Sequence, residues 1–189
     1  MIPIGELVNA VYASMSQQNV QDALRNLYEI LHMTAWKRSG TQIADRATAK
    51  SILTERMWMI LPMGCQFVLT PGLKLKARLP GLEPDGNGCT ALDDILYQAM
   101  EDAAYGRENT LRWMKKQGFA LERNGTLSIN EGFIWGILLA LVTCPENKDE
   151  WTGNQHLLTT ASVMSFVNDL WGREDFVRKV FLMDYGVEL

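Results

Sequence analysis

Ten consecutive residues, Phe133 to Val142, form the longest apolar run in the chain, and the Trp135 indole is the one polar group among their side chains. A helix needs about twenty apolar residues to cross a bilayer, so this run belongs in a protein core. A helix that is apolar all round has no face to offer to water and must be enclosed. The reading therefore begins from a central helix over residues 132–143. The rest of the chain has to supply the amphipathic elements that wrap it.

The chain is suited to such an enclosure. Its 189 residues are 47% hydrophobic and 21% charged, the balance of a globular protein and not of a disordered one. At this length about 70% of the unfolded surface can be buried. One domain over 1–189 is expected, with a division into a helical part (1–63) and a helix–hairpin–helical part (90–189) as the alternative. Leu, Met and Ala dominate the apolar set, and straight-chain side chains lose little rotamer freedom in a helix.

Apolar stripes at helical spacing fall on Ile4–Met15 and Val20–Leu31. A long helix is expected from Thr41 to Leu61, ended by Pro62. Another covers Leu92–Ala103, with Thr90 and Asp93 as its capping box. A basic helix is read over Arg107–Gln117. A further helix starts at Thr152 or Asn154 with Leu157, Ala161, Met164 and Trp171 inward, and a last one runs over Glu174–Asp184. Pro71-Gly72 and Asn124-Gly125 each lie between short β-type runs and mark turns. The expected fold is mainly α. It is a bundle of seven or eight helices around helix 132–143, with one or two β-hairpins at Pro71-Gly72 and Asn124-Gly125.

Several chemistries are disfavoured. Cys65, Cys89 and Cys144 are odd in number and far apart, with no CxxC pair, which points to a reducing cytosol. Met1–Glu6 has neither a basic n-region nor an apolar h-region, so a cytoplasmic protein is expected. The net charge of −4 argues against nonspecific binding of nucleic acid or acidic membrane by the whole surface. No Gly-x-Ser-x-Gly, Walker A loop, GxGxxG after a strand, or HExxH is written. Asp85-Gly86-Asn87-Gly88 opens like a calcium loop, but its later ligand positions fall on Cys89, Thr90 and Leu96. Glu29 and His32 share a helix face as an ExxH pair. The chain has two histidines in all, and His156 has no Glu three residues before it, so a carboxylate-bridged di-iron site cannot be built. No metal and no cofactor is expected.

Two constellations remain as candidates. The basic helix followed by a hairpin at Asn124-Gly125 resembles the winged-helix arrangement over residues 90–129. That resemblance implies a helix in the major groove, with Arg112, Lys115, Lys116 and Arg123 contacting phosphates or bases. The second is the soft patch Met57, Trp58, Met59 and Met63, whose methionines adapt to irregular shapes and suit a ligand or partner pocket. The shortage of catalytic residue types directs the functional expectation. It is a cytosolic, non-enzymatic binding or regulatory protein that acts through a protein partner or its own homodimer. A nucleic-acid-binding regulator using the 90–129 unit is the alternative, and a small enzyme using His32 as base and Glu29 as its orienting carboxylate is the third reading.

Overall fold

A computed structural model describes residues 2–40, 45–65, 72–77, 79–108, 111–122, 126–160 and 162–186. It is predominantly helical with a few small strand pairs. Helices α1 (Ile4–Ser16) and α2 (Val20–Ser39) pack side by side. Asn19 starts α2 by accepting the Asp22 N–H at 3.1 Å, and a left-handed Gly40 ends it.

The helix expected over Thr41–Leu61 is two helices, α3 (Arg46–Glu55) and α4 (Met57–Cys65). Residues 41–44 lie outside the described residues. The break is at Arg56, where the backbone leaves helical geometry and the buried guanidinium turns to Glu174 at 2.7 Å. Pro62 lies inside α4 and does not end it. Proline removes one helical donor, but every α4 side chain except Met63 is buried, and that burial outweighs the loss.

Strand β1 (Lys74–Leu75) pairs antiparallel with β2 (Thr90–Ala91). Residues 66–71, one flank of the turn expected at Pro71-Gly72, lie outside the described residues. Thr90 is a strand residue and not a helix cap. Its hydroxyl donates to the Ala77 carbonyl at 3.1 Å, and α5 (Leu92–Ala104) starts from Ala91.

The segment read as a basic helix over Arg107–Gln117 contains a strand. β3 (Leu111–Met114), β4 (Phe119–Leu121) and β5 (Leu127–Asn130) form one sheet in the order β3-β5-β4, with β3 parallel and β4 antiparallel to β5. The antiparallel pair flanks Asn124-Gly125, though 123–125 lie outside the described residues. The ladder with β5 and the Asn130 side chain together hold 111–116 out of helical geometry. Asn130 Nδ2 donates to the carbonyls of Met114, Lys115 and Lys116 at 3.3, 3.0 and 3.0 Å, turning three successive carbonyls toward one point. Asn130 Oδ1 accepts the Gly132 N–H at 2.7 Å, which also sets the start of the next helix. Replacing Asn130 by Leu removes these part-buried hydrogen bonds. A cost of about 1–3 kcal/mol is expected, read as a lower midpoint in urea at unchanged slope.

Helix α6 (Gly132–Val142) is the enclosed element the apolar run requires. Every residue from Phe133 to Val142 is buried except Trp135, which is half-buried. α4 lies directly along it. The helix expected between Thr152 and Trp171 is instead an antiparallel ribbon, β6 (Leu157–Thr160) with β7 (Val163–Phe166), followed by a short 3-10 turn. Met164, expected inward, is exposed. α7 (Glu174–Tyr185) closes the fold, burying Val177, Val180 and Phe181, with Phe181 edge-on to Trp58. Among the described residues no helix is long and apolar enough to cross a membrane.

Candidate functional site

The ribbon β6–β7 is held to the body on one side and open on the other. Before β6, Thr152 N–H and Oγ1 both donate to Asn168 Oδ1 at 2.9 Å, and Asn168 Nδ2 donates back to the Thr152 carbonyl, tying the two ends of the ribbon together. His156 stacks on Tyr12 of α1 with centroids 4.0 Å apart, and its Nε2 lies 2.7 Å from Asn9 Oδ1. The Tyr12 hydroxyl donates to the Leu157 carbonyl at 3.0 Å. At the far end, Asp184 of α7 accepts the Ser162 N–H at 2.8 Å and the Ser162 hydroxyl.

Strand alternation then decides what faces out. Leu158 and Thr160 are buried, while Leu157, Thr159, Met164 and Phe166 share the opposite face. Leu157 sits across from Phe166 and Thr159 across from Met164. Leu157, Met164 and Phe166 are 49%, 61% and 42% exposed. Beside this face a cleft of about 250 Å³ is lined by Leu157, Leu158 and Thr159 of β6, Gly132 and Trp135 of α6, and Met63 of α4. Large apolar side chains gathered on one exposed face, next to a cleft, mark a place where another molecule can be received.

The residues singled out from the sequence are dispersed. Met57, Trp58 and Met59 are buried in the core, whereas Met63 lines the cleft. Trp58 also receives the Arg178 guanidinium over its ring at 4.3 Å. Arg112 is exposed on β3 and pairs with Glu122 at 3.3 Å. Lys115 and Lys116 are exposed in the turn after β3. Arg123 lies outside the described residues. Because 111–114 is a strand, the second helix that a winged-helix-like unit over 90–129 requires is not formed by this segment. Leu157 and Met164 face outward although their 3–4 spacing with Ala161 fits an inward helical stripe, and Phe166 joins them across the ribbon. The overlooked signal is that Leu157–Val167 has no charged residue, so a helix there would lack a solvated face.

His32 belongs to a second cluster, between α2 and α5. Its Nε2 lies 3.1 Å from the Tyr97 hydroxyl, and its ring packs on Tyr28 with centroids 4.2 Å apart, while Glu29 is exposed. Nearby, Arg107 pairs with Glu101 and Asp102, each at 3.0 Å, and the Arg46 guanidinium lies over the Tyr97 ring at 5.2 Å. Burial lowers the His32 pKa against the opposing pull of Glu101. Burial also lowers that of His156. The folded chain therefore resists protons that the unfolded chain accepts below about pH 6.5. Stability is lost as pH falls from there toward the lowered folded values. His32→Gln is expected to shrink the fall in melting temperature between neutral and mildly acidic pH, and a second change, His156→Gln, to shrink it further. Thermal melts across that range check this, and an unchanged pH dependence in the double variant contradicts it.

No curated protein and no solved structure matches the chain. The model of the family described as Rv1289 matches residues 3–188, and the chain belongs to that family.

Proposed function

We propose that this chain is a single-domain helical protein of the cytosol, a non-enzymatic binding or regulatory protein that acts through a protein partner or its own dimer. The observation that carries the reading is the exposed apolar face of Leu157, Met164 and Phe166 on the β6–β7 ribbon. Protein interfaces are depleted in charge at their centre and enriched in Phe and Met, and this face has that composition. The adjoining cleft offers Trp135 and Met63 as further apolar contact. Support for a reducing compartment comes from Cys65, Cys89 and Cys144, all of which are free thiols. The nucleic-acid reading rests on fewer observations, since Arg112 is paired with Glu122.

The test is the paired variant Leu157→Asp with Phe166→Asp. Both side chains are exposed, so the fold is expected to persist, with far-UV circular dichroism as the check. Association of the purified chain, whether with itself or with a captured protein reconstituted from purified components, is expected to be lost in this variant. Association of unchanged strength would remove the face from the account.

A further inference from the structure

We propose that β7 is a self-pairing edge, along which two copies of this chain join antiparallel about a two-fold axis at Ser165 and extend their ribbons into one four-stranded sheet. The inference names the occupant of the apolar face, and so rests on the function proposed above.

The hydrogen-bond pattern of the ribbon identifies the free edge. In an antiparallel ladder, opposed residues alternate between bonded pairs and pairs whose backbone groups point away from each other. Val167 N–H donates to the His156 carbonyl at 2.9 Å, which fixes the phase. With Leu158 opposite Ser165 and Thr160 opposite Val163, those are the next bonded pairs. The backbone groups of Met164 and Phe166 therefore point away from β6. On the β6 side the corresponding outward carbonyl of Leu157 is taken by the Tyr12 hydroxyl. Among the described residues, neither the Met164 backbone groups nor the Phe166 N–H has a partner on the outer side, while the Phe166 carbonyl caps the 3-10 turn Val167–Asp169.

The chemistry of this edge selects the occupant. Exposed edges are ordinarily blunted by lysine, proline or a bulge, and Leu157–Val167 contains no charged residue and no proline. The chain carries a net charge of −4, and a two-fold axis sets every charge near it against its own copy. A neutral strand meets itself with no like-charge pair, and it offers nothing to hold a charged peptide.

Register follows from the same groups. With the axis at Ser165, Met164 lies opposite Phe166 of the second copy, and Phe166 opposite its Met164. The outward N–H groups of both residues are then satisfied in each copy, with the second lone pair of the Phe166 carbonyl accepting one of them. With the axis at Met164, Phe166 would face Ser162, whose N–H Asp184 already holds. The Ser165 register also places Met164 beside the second copy's Phe166 on the apolar face, joining the two faces into one row.

Sedimentation velocity of the full chain over a micromolar concentration series is the test, alongside Met164→Pro and Met164→Lys. Met164→Pro removes an outward donor and leaves the β6 ladder its donors, as edge prolines do. Wild type is expected to sediment as a dimer, and both variants as monomers with the far-UV circular dichroism of the wild type. A separate variant, Ser165→Cys with Cys89→Ser, is expected to form a disulfide-linked dimer on oxidation, because a non-bonded pair at the axis brings the two Cβ atoms within reach. Thr159→Cys in the same background is not. The cross-link decides the matter if Met164→Pro fails to fold. A wild-type monomer throughout, or a dimer that Met164→Lys leaves intact and Ser165→Cys does not link, overturns the inference. A monomer that still takes a partner through Leu157 and Phe166 overturns self-pairing alone and leaves the proposed function standing.

Discussion

Gly132→Ala is expected to destabilise the chain by at least about 3 kcal/mol, the upper range of an overpacked core. The reason lies in how closely α6 approaches α4. A Cβ on Gly132 would lie 2.2 Å from the Met63 carbonyl oxygen and 2.4 Å from Asn130 Oδ1. One turn on, a Cβ on Gly136 would lie 2.9 Å from the Ile60 carbonyl oxygen. Across the crossing, a Cβ on Gly64 would meet the Phe133 ring at 2.4 Å. Two of these obstacles are backbone atoms, which cannot rotate aside as a flexible side chain can. Relief requires the helices to separate, which opens the packed contact between them. Gly86→Ala is the matched control: nothing lies within 4 Å of its added Cβ, and a change within about 0.5 kcal/mol is expected. Urea denaturation of the pair measures the difference. Equal midpoints would show that the crossing is looser than described.

Glu174→Gln is expected to cost about 3 kcal/mol, because it leaves a buried guanidinium without its counter-charge. The Arg56 side chain is 5% exposed and its Nη1 lies 2.7 Å from Glu174 Oε2. Burial alone would raise the Glu174 carboxyl, but the hydrogen bonds and charges of Arg56 and Arg178 outweigh it and hold the pKa below its ordinary value. A depressed carboxyl contributes stability that is present at neutral pH and lost as pH falls through the folded value. The variant should accordingly lose less stability in acid than wild type does. Arg56→Met removes the buried charge with its stem nearly preserved and is expected to cost less than Glu174→Gln. The double variant completes the cycle that isolates the pair. The pair matters structurally because Arg56 sits at the break between α3 and α4 and ties that break to the first turn of α7.

These two sites mark the boundary of what the sequence makes legible. The enclosure of α6 follows from composition alone, because ten apolar residues admit no solvent face. The stripes of α1, α2 and α7 are equally readable, since each alternates buried and solvated faces at helical spacing, whereas α5 is buried without a break from Ile95 to Ala103. Arg56 is different: a charged residue in the middle of a helical stripe gives no local sign that it turns inward to a partner 118 positions away. Strand β3 is hidden for a similar reason. Leu-Arg-Trp-Met is too short for its period to separate strand from helix, and what fixes it as a strand, the ladder with Leu127–Asn130 and the Asn130 side chain, lies 14 to 16 positions away. The ribbon could have been recognised from its lack of charge, yet Leu157, Ala161 and Met164 fit helical spacing by coincidence. Of the residues singled out for function, Met63 lines the cleft, while Met57, Trp58 and Met59 are taken up by the core.

The most direct test of association through the β6–β7 ribbon is amide hydrogen exchange at Met164 and Phe166 in the full chain, followed as the protein associates with itself or with a reconstituted partner. Both amides point outward in the isolated chain and should exchange quickly there. Slow exchange at these two positions in the associated protein, with little change at the ladder amides of Val163 and Ser165, is the result expected. Fast exchange at Met164 and Phe166 in a protein shown to be associated would place the contact elsewhere and contradict the account.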